Sequence, residues 1–259
     1  MHNAIKDIKK TIKMLPVALF FAYSDLKARY RRSLLGPLWL VIGTTVGVAG
    51  LGLLWSILLK QDRHLFIPSL TVGLVTWQLI SGTVIESSRT FVTNASLIRN
   101  VSIPFGFYPT QLVMRQLVNF AHNAMVIFVV LIIYPPNISI AQWLIIPGLL
   151  LLIGNLLWIA FLFGMMGARF RDLEPLISTF MPLMFFLSPV IYRPDQLGFK
   201  SALVWANPFS YLIAIIRDPI QGIVPEIFVY QGATLMLLVG WVFTFVLLQK
   251  KYQRIAFWV

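Results

Sequence analysis

The sequence predicts an all-α polytopic membrane protein with six transmembrane helices. Hydrophobic residues make up 58% of the 259 residues and charged residues only 12%, a balance far from that of a soluble globular domain. Six apolar stretches are long enough, or nearly so, to cross a hydrocarbon core, which needs roughly 20 helical residues. The basic residues between these stretches fall mainly in alternate loops, which is typical of a chain that crosses a membrane repeatedly.

The predicted spans follow from runs that carry no charged side chain. Ser33 to Leu59 is one such run, and Leu65 to Ile85 is the next. The run from Gln116 to Ala168 is divided in two by Pro135-Pro136-Asn137. We expect spans at approximately 34–59, 65–88, 111–134, 143–168, 175–192 and 227–249.

The distribution of charge predicts the orientation. With six spans, sixteen of the 21 lysines and arginines lie on the side that holds both termini. An excess of basic residues marks the cytoplasmic side, so we expect both termini to be cytoplasmic. The net charge of +12 then faces anionic lipid headgroups, and this arrangement argues against nucleic acid as the partner.

Residues 1–32 form a segment distinct from the transmembrane domain at 33–259. Ile5, Ile8, Ile12 and Leu15 recur at helical spacing opposite lysines, which predicts an amphipathic helix in the plane of the inner leaflet. A more basic stretch follows and contains Arg29, Arg31 and Arg32. This stretch fits a topology anchor held by lipid charge, and it also fits a platform for an anionic substrate headgroup.

The apolar run from Ser201 to Ile216 is too short for a regular span and contains Asn207-Pro208. A seventh crossing there would move the basic C-terminus to the outer side. Irregular backbone at membrane depth must be covered by protein or by a water-filled cavity. We therefore expect a re-entrant helical hairpin on the outer face between spans five and six.

Two patterns inside the spans concern helix packing. Gly43 and Gly47 form a G-x-x-x-G pair, which lets two helix backbones approach closely. Arg115, Asn119 and His122 share one face of span three, with Asn123 beside them, and this face must avoid lipid. These polar side chains are explained by hydrogen bonds between helices, or alternatively by a polar pathway through the membrane.

Several kinds of chemistry are missing from the sequence. No G-x-x-x-x-G-K-[ST] phosphate loop is present, so we expect no ATPase site and no catalytic residue in this chain. The three histidines are scattered and cysteine is absent, which argues against a metal site. No carboxylate lies deep in a span; the nearest is Glu86, close to the inner end of span two. Proton-coupled carriers usually place a carboxylate at mid-membrane, so the absence of such a residue argues against secondary transport.

Five segments carry a resemblance to a known family. They are DLKARYRRSLLGPLWLV (25–41), NASLIRNVSIP (94–104), ARFRDLEPLI (168–177), LSPVIY (187–192) and NPFSYLIAIIRDPI (207–220). In this order they resemble the membrane subunits of bacterial polysaccharide ABC exporters. The O-antigen exporters are the most similar, and the capsule and teichoic acid exporters come next.

The resemblance implies a homodimeric channel in the bacterial inner (plasma) membrane, with two copies of a separate ATPase that binds ATP and Mg. The implied substrate is a glycan carried on undecaprenyl diphosphate. Two other classes stay open: an ABC permease for a non-glycan lipid or drug, and a secondary transporter without an ATPase.

The resemblance also implies roles for three segments. The N-terminal helix would be an interface helix. A coupling helix for the ATPase would include Asn94, Leu97, Ile98 and Arg99. The hairpin would form the outer gate of the channel at Asn207, Pro208 and Phe209.

A sliding glycan and its diphosphate require two further kinds of side chain. Aromatic faces stack on sugar rings without a fixed register, and the candidates near the channel are Trp39, Trp77, Phe185, Phe186 and Tyr192. Alternatively, each of these side chains faces lipid or belongs to the aromatic belt at the membrane interface. The diphosphate needs cations at the inner entrance, where Arg29, Arg31 and Arg32 are the candidates.

Overall fold

The computed structural model describes residues 2–31, 33–58, 60–194 and 201–259. The α-helices in these ranges are α1 (His2–Lys13), α2 (Leu15–Arg29), α3 (Leu38–Leu58), α4 (Arg63–Ser87), α5 (Thr90–Thr93), α6 (Ala95–Asn100), α7 (Phe107–Ile133), α8 (Ile145–Arg169), α9 (Leu173–Leu187), α10 (Ser201–Trp205), α11 (Pro208–Ile220) and α12 (Ile227–Trp258). A 3₁₀ turn at Ile140–Leu144 leads into α8. The described ranges contain no β-strand, which confirms the all-α class.

Five helices in the described ranges are long and apolar enough to cross a membrane: α3, α4, α7, α8 with its 3₁₀ turn, and α12. They contain 21, 25, 27, 30 and 32 residues. The helix at the place of the predicted fifth span, α9, has only 15 residues. At 1.5 Å per residue it is about 22 Å long, shorter than the hydrocarbon core. Six spans therefore stay a prediction.

The end of α9 differs from the sequence prediction. The helix stops at Leu187, whereas the predicted span continues to Tyr192. Pro189 explains the early end, because a proline disfavours helical geometry in the residue before it. Ser188 accordingly has an extended backbone, with φ −88° and ψ 148°. In contrast, α12 runs past the predicted end at Gln249 to Trp258, since no proline or glycine interrupts its last turns.

Helix α4 is the centre of the bundle. Every residue from Phe66 to Trp77 is buried. Helices α3, α7, α8, α9 and α11 all pack against it. The pairs Glu86–Arg115 and Gln78–Asn123 show that α7 runs antiparallel to α4. The most buried helix is therefore also the one that fixes the positions of the others.

Helix α11 lies inside the bundle at one end. It has 13 residues, and its side chains from Leu212 to Arg217 are all buried. Its backbone reaches the first turns of α8, where a Cβ added to Gly148 would lie 2.5 Å from the Ile215 carbonyl oxygen. A short buried helix after the short helix α10 is compatible with the predicted re-entrant hairpin. Its position in a membrane stays a prediction.

Both ends of the described chain meet at the opposite end of the bundle. Helix α1 packs against the last turns of α12, where the Tyr252 hydroxyl lies 3.0 Å from Asp7 Oδ1. The start of α7 and the end of α8 lie at this end too. The α3–α4 and α7–α8 connections lie at the far end, together with α11.

A close crossing of α8 over the end of α4 gives the first testable prediction. A Cβ on Gly167 would lie 1.7 Å from the Ser88 carbonyl oxygen, a backbone atom that cannot swing aside. We expect Gly167→Ala to lower the free energy of unfolding by about 3 kcal/mol, because the helices must separate. Thermal melting of the purified protein, followed by size-exclusion chromatography, measures the loss.

Gly52→Ala is the matched control for this prediction. Gly52 is also a buried helical glycine, but its added Cβ would meet the Ile67 side chain at an ordinary 3.5 Å. We expect this variant to melt at the wild-type temperature or somewhat above it, since alanine favours helix by about 1 kcal/mol over glycine. Equal melting temperatures for the two alanine variants would contradict the close crossing.

Candidate functional site

A polar groove lies between α3, α4 and α7, and we call it the amide groove. Its cavity has a volume of about 400 Å³. The polar side chains that line it are Thr44, Gln78, Gln116, Asn119 and Asn123, with Arg29 and Glu86 at one end and Trp39 beside them. Three helices therefore each contribute uncharged polar side chains to one cavity.

Three of these side chains bond to one another across the helices. Asn123 on α7 donates to the Gln78 Oε1 of α4 at 2.8 Å. The Thr44 hydroxyl on α3 lies 3.2 Å from the same oxygen and 3.1 Å from Asn123 Oδ1. These contacts support the predicted hydrogen bonding between helices. They include Gln78 and Thr44, which the sequence analysis did not identify.

A charged cluster lies where the amide groove ends, on the side of the chain termini. The Arg115 guanidinium contacts Glu86 Oε2 at 2.5 Å and Asp25 Oδ2 at 3.4 Å. Gln111 donates to the same Asp25 oxygen at 2.8 Å. One arginine is thus held between two carboxylates from α2 and α4. This arrangement fixes α2 against the bundle.

A second cavity of about 690 Å³ adjoins this cluster, and Arg29 and Glu86 line both it and the amide groove. Asn94 and Leu97, at the start of α6, line its other side. The two cavities therefore adjoin at these two side chains, and we call the pair of cavities the polar passage. Together they extend from the short helices at the terminal end of the bundle to the middle of α4.

The three predicted headgroup arginines do not share one cavity. Arg29 lines the passage just described. Arg31 lines a separate cavity of about 740 Å³ with Lys27 and His122. Arg32 lies outside the described residues. The structure therefore brings Arg29 alone to the polar passage.

Most of the predicted channel aromatics and one predicted gate residue form a single cluster. The Trp77 ring centroid lies 5.8 Å from that of Phe185 and 5.9 Å from that of Phe209. Phe186 extends the cluster, at 5.3 Å from Phe185. Tyr192 lies apart, with its hydroxyl donating to the Leu187 carbonyl at 3.1 Å. Trp39 is exposed and lies on the amide groove instead.

The predicted gate segment is anchored by side chains at both of its ends. Asn207 caps α11, accepting from the Phe209 N–H at 3.0 Å, and donates to Ser188 Oγ at 2.8 Å. Pro208 is the first residue of α11, where its missing N–H costs nothing. At the other end Arg217, only 2% exposed, donates to the Pro189 carbonyl at 2.6 Å and pairs with Asp218.

Arg217 is a residue whose role the sequence analysis missed. In the count of basic residues it was assigned to the outer side of the membrane, as one of the five that lie opposite the termini. The Arg-Asp-Pro sequence after an apolar helical run was the available signal, since a fully buried arginine needs a carboxylate and carbonyl oxygens as partners.

The predicted coupling segment is a short helix at the terminal end of the bundle. Asn94 donates from its side chain to the Thr90 carbonyl at 2.8 Å, which joins α5 to α6. Leu97 and Ile98 are half-buried against the neighbouring helices, and Arg99 is exposed. None of the six residues of α6 is buried. The helix thus presents most of its surface outward.

Asp7 joins α1 to two other parts of the chain. Its carboxylate, 1% exposed, accepts from the Phe105 and Gly106 N–H groups at 2.8 Å each and from the Tyr252 hydroxyl at 3.0 Å. Phe105 and Gly106 immediately precede α7, so the negative charge also faces the positive end of that helix. Burial raises the pKa of the Asp7 carboxyl, and these three hydrogen bonds and Lys10 oppose the rise.

The face of α1 that packs on the protein therefore differs from its predicted apolar face. The buried residues of α1 are Ala4, Asp7 and Thr11. Ile5 and Ile12, predicted to face lipid, are exposed. The sequence analysis identified the apolar side of α1 but not the side that contacts the protein.

The described residues contain no cluster of His, Cys, Asp and Glu able to hold a metal ion.

Comparison with known proteins identifies a family. Residues 19–220 match the ABC-2 type transporter family. An O-antigen export system permease protein, RfbA from Klebsiella pneumoniae, is 30% identical over 202 residues, which are 75% of this chain and 76% of the relative. A second Klebsiella pneumoniae protein of that name is 26% identical over 86% of this chain and 85% of its own length. RfbA from Myxococcus xanthus is 28% identical over 73% and 74%. These matches confirm the resemblance predicted from the five sequence segments.

The Asp7 joint gives the second testable prediction. Asp7→Asn replaces one acceptor oxygen by an NH₂ group, which then faces a backbone N–H or a hydroxyl. We expect the free energy of unfolding to fall by about 2–3 kcal/mol, because a buried donor loses a charged acceptor. Thermal melting in detergent measures the change.

Tyr252→Phe is the graded control, since it removes one of the three bonds to Asp7 and leaves the carboxylate in place. We expect a loss of about 1 kcal/mol for this variant. An Asp7→Asn protein that melts no lower than Tyr252→Phe would contradict the role of the carboxylate.

Proposed function

The chain belongs to the ABC-2 type transporter family, and from this premise we propose that it is the membrane subunit of an O-antigen exporter. In this proposal it moves a glycan on undecaprenyl diphosphate across the bacterial inner membrane. The observation that carries the proposal is the similarity to three O-antigen export permeases over about three quarters or more of both lengths.

The geometry supports a glycan as the substrate. A sliding glycan needs many weak contacts, because one tight site would trap it. Amide side chains in the amide groove can exchange hydrogen bonds with sugar hydroxyls. Phe186, the exposed edge of the cluster that contains the buried Trp77, can provide stacking contacts farther along the bundle.

An ABC exporter requires an ATPase, and this chain has no phosphate loop of its own. We propose that the ATPase, with its ATP and Mg, docks at α6 through the exposed Arg99 and the half-buried Leu97 and Ile98. We further propose a homodimer. The resemblance of the five sequence segments to membrane subunits of polysaccharide ABC exporters supports it.

The proposed orientation places α1, α6 and both termini in the cytoplasm. The positive-inside distribution supports it, because the basic residues are concentrated at the end of the bundle where α1 and α12 meet. In this orientation the cytoplasmic end of the polar passage lies beside Asn94 and Leu97, and Arg29 lies deeper, where the two cavities adjoin. The aromatic cluster and α11 lie toward the outer leaflet.

The exporter function gives the third testable prediction. In the source bacterium, loss of this chain should abolish surface O antigen while lipid-linked glycan accumulates inside, because synthesis continues without transport. Immunoblots of intact cells and of extracted lipid-linked glycan measure both pools. Unchanged surface glycan would refute the proposal. Loss of a different surface lipid would favour an ABC permease for a non-glycan substrate.

The docking role of α6 is tested in the same strain with charge-reversal variants. Arg99→Glu should reduce co-purification with the ATPase and restore little surface glycan, while membrane insertion stays normal. Arg254→Glu is the matched control, since Arg254 is another exposed arginine at the same end of the bundle. Equal co-purification of the two variants would contradict docking at α6.

The headgroup role of the arginines gives the fourth testable prediction. Arginine binds phosphate oxygens through two parallel hydrogen bonds, and lysine cannot reproduce this geometry. We expect the double variant Arg29→Lys, Arg31→Lys to reduce the export rate about tenfold, equivalent to one lost charge-assisted hydrogen bond. The reverse changes Lys9→Arg and Lys10→Arg should leave it unaltered. Wild-type export by the double lysine variant would leave these arginines as topology anchors only.

A further inference from the structure

We propose that the amide groove is a binding subsite for one sugar unit of the glycan, held through its hydroxyl groups. The proposal rests on the proposed function for the identity of the ligand. Its physical basis is independent of that function: the groove has unused hydrogen-bonding groups, a suitable volume and an open side.

Hydrogen-bonding groups in the groove remain unused after the contacts between helices are counted. Asn119 Oδ1 is buried and has no partner among the described residues. Asn119 donates to Gln116 Oε1 at 3.2 Å, but no bond from the Gln116 or Gln78 NH₂ group occurs within the described ranges. Burying the Asn119 oxygen without a partner costs roughly 1–3 kcal/mol. A polar occupant that supplies both donors and acceptors removes this cost.

The mixture of groups selects the chemistry of the occupant. A phosphate would pair with Arg29 at the end of the groove, but among the amides it would meet the unpartnered Asn119 oxygen. An acyl chain would leave the Asn119 oxygen and the Gln116 and Gln78 NH₂ groups without partners. A hydroxyl group donates and accepts at once, so a polyhydroxylated, uncharged ligand satisfies both kinds of group.

The shape of the groove fits a single ring. Its volume of about 400 Å³ is within the range of about 300–1,000 Å³ typical of small-molecule sites. Trp39 lines the same cavity and can cover the apolar face of a sugar ring. Gly43, on the open side, has no neighbouring atom within 4 Å of an added Cβ. A chain threading past could therefore place one unit in the groove while the rest continues beyond.

The expected binding is weak. Each neutral hydrogen bond contributes about 1 kcal/mol net, because the sugar gives up bonds to water in exchange. A few such bonds hold one unit briefly and release it. This is compatible with a chain that advances by exchanging one sugar for the next.

A cysteine placed at Gly43 tests occupancy directly, since the chain contains no other cysteine and the added side chain meets no clash. A charged methanethiosulfonate reagent is applied to membranes from two strains. One strain cannot make the glycan. The other makes it and carries an ATPase variant that cannot hydrolyse ATP, so that lipid-linked glycan is held at the transporter.

We expect Gly43→Cys to react in membranes without glycan and to react about fivefold more slowly in membranes with held glycan, a protection equivalent to one hydrogen bond. Thr45→Cys is the matched control. It lies on the same helix but lines a different cavity, among Val41, Met125 and Val129, which is apolar. Its reaction should be slow and unaffected by glycan.

Two outcomes would overturn the proposal. Equal reaction of Gly43→Cys with and without glycan means that no sugar enters the groove. Absence of reaction together with formation of a Cys–Cys dimer means that a second copy covers the groove. The proposed function is judged separately, by whether surface glycan depends on the chain at all. Its failure is therefore distinguishable from failure of the sugar site.

Removal of the amides gives a second measurement. Asn119→Leu keeps the side-chain volume but deletes the unpartnered oxygen and the amide donors. We expect export per assembled complex to fall about fivefold. Asn155→Leu is the control, because Asn155 is a fully buried amide on α8 that bonds to the Leu151 and Ala233 carbonyls and lies outside the groove.

We expect Asn155→Leu to lower the melting temperature and the amount of complex, but not the export per complex. Asn119→Leu should show the opposite pattern, with normal melting and reduced export. A fall in melting temperature that accounts for all the loss of export by Asn119→Leu would assign that amide to helix packing and refute the sugar site.

Discussion

Burial of α4 is the constraint on which the arrangement of the other helices depends. A helix in a membrane must satisfy its polar groups within the protein, because lipid offers no hydrogen bonds. Thr71 and Thr83 do so by donating to carbonyls of their own helix, at 2.7 and 2.8 Å. Gln78 is too long for this and requires partners on other helices. It therefore draws α3 and α7 onto the same side of α4.

The same constraint accounts for the two ends of the bundle. At the end with the chain termini, Glu86 of α4 must be neutralised, and Arg115 of α7 provides the charge. At the other end, α9 stops before Pro189, and Arg217 of α11 donates to the carbonyl of Pro189, which has no helical partner. In both places a single arginine compensates a polar group of another segment, a carboxylate in one case and a backbone carbonyl in the other. Such pairs are expensive to disrupt, since the remaining partner would be left without a counter-charge.

The sequence predicted the parts of this protein that depend on composition and periodicity. Long apolar runs identified α3, α4, α7, α8 and α12, because each run is itself the signal for a membrane helix. Prediction from the sequence failed for features that depend on contacts between residues far apart in the chain. Asp7 and Tyr252 are separated by almost the whole chain, and nothing local marks their hydrogen bond. The amide groove was anticipated only as a polar face of α7, since Gln78 and Thr44 look unremarkable in their own helices.

Helix α7 connects the features that the proposed function requires. The two residues before its first turn donate their N–H groups to Asp7 of α1, which also accepts from Tyr252 of α12. One and two turns later, Gln111 and Arg115 hold α2 through Asp25. Beyond them, Asn119 and Asn123 line the amide groove. These positions follow at intervals of four residues along one continuous helix, so they move together. A displacement of the segment between α6 and α7 by a docked ATPase would therefore reach the charged cluster and the amide groove at the same time, without a separate relay.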